Sequence, residues 1–243
     1  MKGIILAGGL GTRLHPLTRI TNKHLLPVYD KPMIYYPIEM LIKAGIDDIM
    51  IITGGNNSGD FLRLLGNGKE FGLKHIHYAY QEGEGGIADA LKLTQDFVGD
   101  HKMIVALGDN IIEKNIKSFT EEFRKQKSGA KVILKEVKNP KEYGVAEFKG
   151  KKMINIVEKP KKPKTNYAVI GIYFYSPDVF EITEKLKPSK RGELEITDVN
   201  NAYLKRGELT CNILDGWWKD CGESKDALLE ANVFVAKHGA NHI

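Results

Sequence analysis

The sequence predicts an α/β fold: a mostly parallel sheet covered on both faces by helices, with mixed or antiparallel strands added in the second half. Three observations predict it. Short apolar, β-branched runs recur along the first half, and each stops at a glycine or a polar turn. Segments with helical spacing lie between those runs. Past residue 130, strand-like runs follow one another without full helices between them. Buried strands that alternate with helices require right-handed crossovers, and therefore a parallel sheet.

Residues 3–7 are a continuous apolar run ending at Gly8-Gly9, the pattern of a buried central strand. Residues 33–44 have helical spacing and end at Gly45, a suitable C-cap. A second strand is expected at 49–53, a short helix at 59–65 stopped by Gly66, and a third strand at 75–80. A helix over 87–97 leads to a fourth strand, 103–107, which Gly108-Asp109-Asn110 terminates. Ligands of such sheets sit beyond the carboxyl ends of the strands. Here those ends are Gly8-Gly9, Thr53, Gln81 and Asp109. Further strands are expected at 131–137, 145–148, 153–157 and 169–175, punctuated by turns at Asn139-Pro140 and from Lys159-Pro160 to Pro163. Thr197 or Asp198 should cap a helix reaching Lys205; a strand at 209–214 and a last helix, 225–237, capped by Ser224, complete the pattern. With no repeat, low-complexity tract or linker, residues 1–243 read as a single domain.

Composition narrows the partners. The net charge of +5 is modest and the lysines are scattered. A nucleic-acid-binding face would gather them, so nucleic acid is not expected as a partner. A mild positive excess suits polyphosphate ligands. Cys211 and Cys221 lack metal-ligand spacing and read as reduced thiols. The N-terminal apolar run is too short for a signal peptide, and no apolar stretch approaches the ~20 residues that span a bilayer. The expected location is the cytoplasm, with no membrane partner.

Ala7-Gly8-Gly9-Leu10-Gly11-Thr12-Arg13-Leu14 directly follows the first strand. Glycines let the backbone approach a ligand and point consecutive amides at an anion. Arg13 and Lys23 add cationic donors nearby. A Walker loop would need Gly-Lys followed by Ser or Thr, and Gly11 is followed by Thr12-Arg13 instead. A dinucleotide fingerprint would need Gly or Ala where Leu14 stands, and an acidic end to the second strand, where Thr53-Gly54-Gly55 stands. Asp109, immediately after an apolar strand, should face the ligand crevice. The chain supplies cationic donors, glycine amides and carboxylates, but no persuasive Ser-His-Asp or Cys-His set.

The stretch Gly8-Gly9-Leu10-Gly11-Thr12-Arg13-Leu14-His15-Pro16-Leu17-Thr18, continued by Asn22-Lys23-His24-Leu25-Leu26-Pro27 as far as Met33, resembles the signature of the sugar nucleotidyltransferases. The likeness runs on through Asp109-Asn110, Tyr143-Gly144-Val145, Glu158-Lys159-Pro160 and Arg191 to Asp198. It implies a Rossmann-like fold, with about 1–110 as the nucleotide-binding half and 111–243 as the sugar-phosphate-binding half. It also implies a reaction: transfer of a nucleotidyl group from dTTP to glucose 1-phosphate, with pyrophosphate leaving. The same chemistry with UTP, CTP or another hexose phosphate stays open, as does a non-catalytic nucleotide-sensing protein of the same fold.

The resemblance also implies roles for individual residues. Arg13 and Lys23 are catalytic. Ala7, Gly8, Gly9, Gly11, Thr12, Arg13, Gln81, Gly86 and Asp109 bind nucleotide, with Gln81 reading the base. Asn110, Gly144, Glu158, Lys159, Val169, Tyr173 and Arg191 surround the sugar phosphate. Asp109 and Asp220 hold Mg2+, although Asp215 competes with Asp220, and Cys221 stands where the family usually has threonine. Val169 and Tyr173 equally suit a strand core. The loop after Gln81 lacks the proline and the Gly-Leu-Ala usual in the family. A homo-oligomer is expected; longer members carry a further segment associated with assembly and product feedback, so a feedback site is not expected in this chain.

Overall fold

The computed structural model describes residues 1–55 and 57–243. Strand β1 (Lys2–Ala7) opens the chain, followed by a small ribbon of β2 (Pro27–Val28) and β3 (Lys31–Pro32). Then come α1 (Tyr35–Lys43), β4 (Asp48–Gly54), α2 (Ser58–Leu65) and β5 (His75–Gln81). Helices α3 (Ile87–Lys92) and α4 (Gln95–Val98) lead to β6 (Met103–Leu107) and the short β7 (Asn110–Ile112). The second half runs α5 (Lys117–Lys125), β8 (Ala130–Glu136), β9 (Gly144–Lys149), β10 (Lys152–Glu158) and β11 (Tyr167–Tyr175). It closes with α6 (Val179–Glu184), α7 (Ile196–Arg206), β12 (Leu209–Ile213), β13 (Trp218–Asp220) and α8 (Lys225–His238).

One large sheet runs in the order β10-β9-β11-β6-β1-β4-β5, with β8 attached to β11 and β12 to β8. The four strands β6, β1, β4 and β5 are parallel. Beyond β6 the pairing turns antiparallel through β11, β9 and β10. The strand order reverses between β1 and β6. A crevice must open there, because the crossovers leaving the two strands run to opposite sides. The glycine loop follows β1 and Asp109 follows β6, so both sit at that reversal.

The alternation of side chains along a strand splits the core in two. Ile4, Leu6 and Val105 pack on one face with Tyr175 and Tyr203. Ile5, Ala7 and Ile104 pack on the other with Phe123 and Phe174. A third apolar cluster joins Val28, Met33 and Tyr36 to α8 through Ala231 and Val235. Among the described residues, no helix is long and apolar enough to cross a membrane.

Several sequence expectations are corrected. The helix expected over 87–97 is two pieces, because the buried Thr94 hydroxyl donates to the Leu91 carbonyl at 2.7 Å and tightens the turn. Neither Thr197 nor Asp198 caps α7. Glu195 occupies that position, with extended backbone, while the Thr197 hydroxyl donates to Glu158 instead. Ser224 caps α8 as expected, accepting from the Ala227 amide at 3.0 Å. Helices α5 and α6 and the β7–β13 pair had no counterpart in the sequence reading.

Candidate functional site

Two cavities open at the strand-order reversal and share a wall. The larger, about 380 Å³, is lined by Gly8, Gly9, Gly11, Thr12 and Arg13 of the loop after β1, with Lys23, Gln81, Gly86 and Asp109. All the expected nucleotide residues therefore meet there except Ala7. That residue is the last of β1 and fully buried, and its carbonyl accepts from Asn22 Nδ2 at 3.3 Å. The smaller cavity, about 180 Å³, is lined by Asn110, Gly144, Glu158, Lys159, Val169, Tyr173 and Arg191, the whole expected sugar-phosphate set. Arg13, Arg191 and Asp220 border both.

The lining of the larger cavity carries a buried ion pair, with Asp220 of the shared wall beside it. Lys23 Nζ lies 2.5 Å from Asp109 Oδ2. Burial pushes the Asp109 carboxyl up, but the Lys23 ammonium, joined by the Asn110 amide, outweighs it and holds the group below the usual carboxylate range. Burial likewise lowers Lys23, and Asp109 more than restores it, so its pKa ends above the ordinary lysine value. Asp220 goes the other way: burial, and then the Asp109 charge, raise it. Lys23 therefore does not offset the repulsion between the two carboxylates, and a further cation beside them would favour the ionised form of Asp220.

Local structure explains how these groups are aimed. Asn22 Oδ1 accepts from the His24 amide at 2.9 Å and contacts His24 Nδ1 at 2.7 Å, fixing the turn that carries Lys23. Asn110 Nδ2 donates to Asp109 Oδ1 at 3.0 Å, while Asn110 Oδ1 accepts from Trp218 Nε1 at 2.7 Å and from the Gly171 amide at 3.1 Å. The β7–β13 pair sets Asp220 opposite Asn110, and the Cys221 amide donates to the Asp109 carbonyl at 2.8 Å. A Cβ at Gly222 would collide with Asp109 Oδ2 and stand 2.8 Å from Lys23 Nζ, so only glycine fits.

In the smaller cavity, Glu158 Oε2 accepts from the Thr197 hydroxyl at 2.5 Å. Burial raises the Glu158 pKa against that hydrogen bond. Arg191 Nη2 contacts both Glu193 oxygens, at 2.8 and 2.9 Å, and Nη1 reaches Glu195 at 3.6 Å and Glu158 at 3.9 Å. Lys159 has φ +42°, unusual for a lysine, and its amide donates to the Tyr143 carbonyl at 3.0 Å. Backbone held in that region is characteristic of ligand clamps. Val169 and Tyr173 are both cavity wall and strand core, only 8% and 4% exposed. The two readings of them are compatible.

Asp215 is exposed and lines neither cavity. Trp218, to which the sequence reading gave no role, lines the smaller cavity and orients Asn110. Asn22, His24, Asp89 and Gly222 likewise have no site role in the sequence reading, and Thr197 has only that of a helix cap. Only Asn22 carried a local signal, as an N-cap residue before a short helix. Among the described residues, no three His, Cys, Asp or Glu side chains gather to hold a metal. Two neighbouring carboxylates that repel each other suit a hard divalent cation that takes its remaining ligands from phosphates and water.

The chain matches the nucleotidyl transferase family over residues 2–238. It is 48% identical to the glucose-1-phosphate thymidylyltransferase of Neisseria meningitidis over 241 residues, 97% of this chain and 82% of that protein. The enzyme of the same name from Mycolicibacterium smegmatis is 47% identical over 243 residues, with coverage of 97% and 82%. Among solved structures, a Bacillus anthracis protein assigned as a glucose-1-phosphate thymidylyltransferase, in complex with sucrose, superposes with a TM-score of 0.93 at 54% identity, covering 98% of this chain and 96% of that one. A UDP-glucose pyrophosphorylase complexed with UDP-glucose superposes with a TM-score of 0.86 at 29% identity, covering 97% and 98%.

Proposed function

The chain belongs to the nucleotidyl transferase family, and on that footing we propose that it transfers the nucleotidyl group of dTTP to glucose 1-phosphate, forming dTDP-glucose and pyrophosphate. The observation that carries this reading is the shared wall. A polyphosphate cavity and a smaller polar cavity meet at Arg13, Arg191 and Asp220, where the phosphates of two substrates would face each other.

The sugar phosphate oxygen attacks the α-phosphorus in line, and pyrophosphate departs. No protein nucleophile is needed, so catalysis rests on alignment and charge neutralisation. Glycine-loop amides and Arg13 hold the leaving pyrophosphate. Lys23 stabilises charge near the reacting phosphorus. Gln81 reads the base, with Gly86 giving its edge room. Lys159 and Arg191 hold the sugar phosphate, while Glu158 and Asn110 meet hexose hydroxyls against Val169, Tyr173 and Gly144. Asp109 and Asp220 would hold Mg2+, which when bound neutralises triphosphate charge. In this scheme residues 1–110 supply the base-reading side and 111–243 the sugar side, and the enzyme works in the cytoplasm as a homo-oligomer.

Pyrophosphate release, measured with glucose 1-phosphate and each of dTTP, UTP and CTP, with and without magnesium, tests the reading. Turnover that is fastest with dTTP and magnesium-dependent supports it. A much faster rate with UTP would favour the second reading, which the likeness to a UDP-glucose pyrophosphorylase supports. Absence of turnover with every pair would leave a nucleotide-sensing role, against which the retention of Arg13, Lys23, Asp109 and Lys159 speaks.

A further inference from the structure

Asp89 lies outside both cavity linings, on the first turn of α3, yet it touches the residue expected to read the base. Gln81 Nε2 donates to Asp89 Oδ2 at 2.9 Å and to the Gly86 carbonyl at 3.1 Å. Both partners offer oxygen acceptors, a backbone carbonyl and a carboxylate. They use the two hydrogens of the amide and fix which end is nitrogen. A flipped amide would set its oxygen against two other oxygens. Gln81 Oε1 has no hydrogen-bond donor among the described residues, and it lies on the Gly8 side, toward the larger cavity. What this glutamine offers a ligand is therefore an acceptor alone.

An acceptor at the reading edge selects by chemistry. Thymine and uracil carry an N–H at position 3 and can donate to it. Cytosine carries a bare ring nitrogen there, and two lone pairs would face each other in a half-buried site. A site built to pair one partner rejects the analogue that leaves it unpaired. From this geometry we propose that Asp89 is a positioning residue that fixes the Gln81 amide with its oxygen toward the base, restricting the nucleotide to triphosphates whose base presents an N–H: dTTP and UTP are accepted and CTP is refused. The inference rests on the reading of Gln81 as the base contact. It adds the residue that decides the hydrogen-bond polarity of that contact. It does not separate thymine from uracil, since the methyl group lies away from position 3.

The test compares wild type with Asp89→Asn, using glucose 1-phosphate and dTTP, UTP or CTP as the varied triphosphate. Asparagine keeps the shape of Asp89 but can turn its amide to donate, so a flipped Gln81 is no longer barred at this partner and only the Gly86 carbonyl still opposes it. The expected result is a fall of about tenfold or more in the ratio of kcat/KM for dTTP to that for CTP. The dTTP-to-UTP ratio and the KM for glucose 1-phosphate should stay unchanged. A structural defect would slow all three triphosphates alike and leave the ratios intact, and that result would overturn the proposal. Asp89→Glu keeps a carboxylate partner and should retain discrimination; its loss in that variant as well would also overturn the proposal. If wild type itself turned over CTP as readily as dTTP, the base contact at Gln81 would be the part in error, independently of Asp89.

Discussion

Lys23 and Asp109 form an ion pair in the lining of the larger cavity, with a glycine, Gly222, packed directly against both. On the proposed function the pair matters by its placement; as a source of stability it contributes little, because burying two charges costs about as much as their attraction returns. Removing one partner is a different matter. Asp109→Asn should lower kcat by about a hundredfold or more, the scale of losing a group that organises transition-state charge. Steady-state rates, with circular dichroism to confirm folding, check it. Activity within twofold of wild type would remove Asp109 from the mechanism.

Gly222→Ala places a methyl group where Asp109 Oδ2 and Lys23 Nζ already stand. The expected cost is ~1–3 kcal/mol of stability, from overpacking in a tight site, and a larger relative loss of turnover because the pair must separate. Chemical denaturation and kinetics on one preparation measure both.

Chelation should abolish turnover, and magnesium should restore it. Asp220→Asn should raise the magnesium concentration needed for half-maximal rate while leaving the KM for glucose 1-phosphate near its wild-type value. Magnesium titrations of both proteins decide this. An unchanged titration would remove Asp220 from the ligand set.

His24 predicts a pH dependence. Burial, and then the Lys23 charge, push its pKa from 6.5 down to about 3. Between those values the unfolded chain binds a proton that the fold refuses. The stability held by neutral His24 is therefore complete above pH 6.5 and drains away as pH falls toward 3, at about 1.4 kcal/mol per unit from this group. Melting temperatures at pH 7.5, 6 and 5 should fall in that order. His24→Gln, which does not titrate, should flatten the trend.

Much of this arrangement was legible in the sequence. The parallel strands at Lys2–Ala7, Asp48–Gly54 and Met103–Leu107 showed themselves as apolar runs, and burial on both faces is what makes such runs continuous; the edge strand His75–Gln81 is more polar and only partly buried. The glycine loop, Arg13 and Lys23 were visible because they are close in sequence. Partners distant in sequence were harder to see. Asp89 looks like an ordinary first-turn acid, and Trp218 pairs with Asn110 across 108 positions. Helix α5 escaped because its buried side, Ile116, Thr120 and Phe123, is narrow on an otherwise charged segment. Thr197 was misread as a cap because a hydroxyl at a helix start has two plausible uses, and only the fold brings Glu158 within reach.

The large sheet also works as a ruler. Gln81 ends β5, and Val169 and Tyr173 belong to β11, four neighbours away along the strand order. At ~4.8 Å per neighbour, the strands that carry Gln81 and the Val169–Tyr173 pair stand roughly 19 Å apart across the sheet. On the proposed function, donor choice and acceptor choice are thereby entrusted to separate strands of one plate, β5 at its edge and β11 within it. On that scheme an engineer could recut the sugar seat through β11 without touching the strand that carries Gln81, provided the shared residues Arg13, Arg191 and Asp220 are left in place.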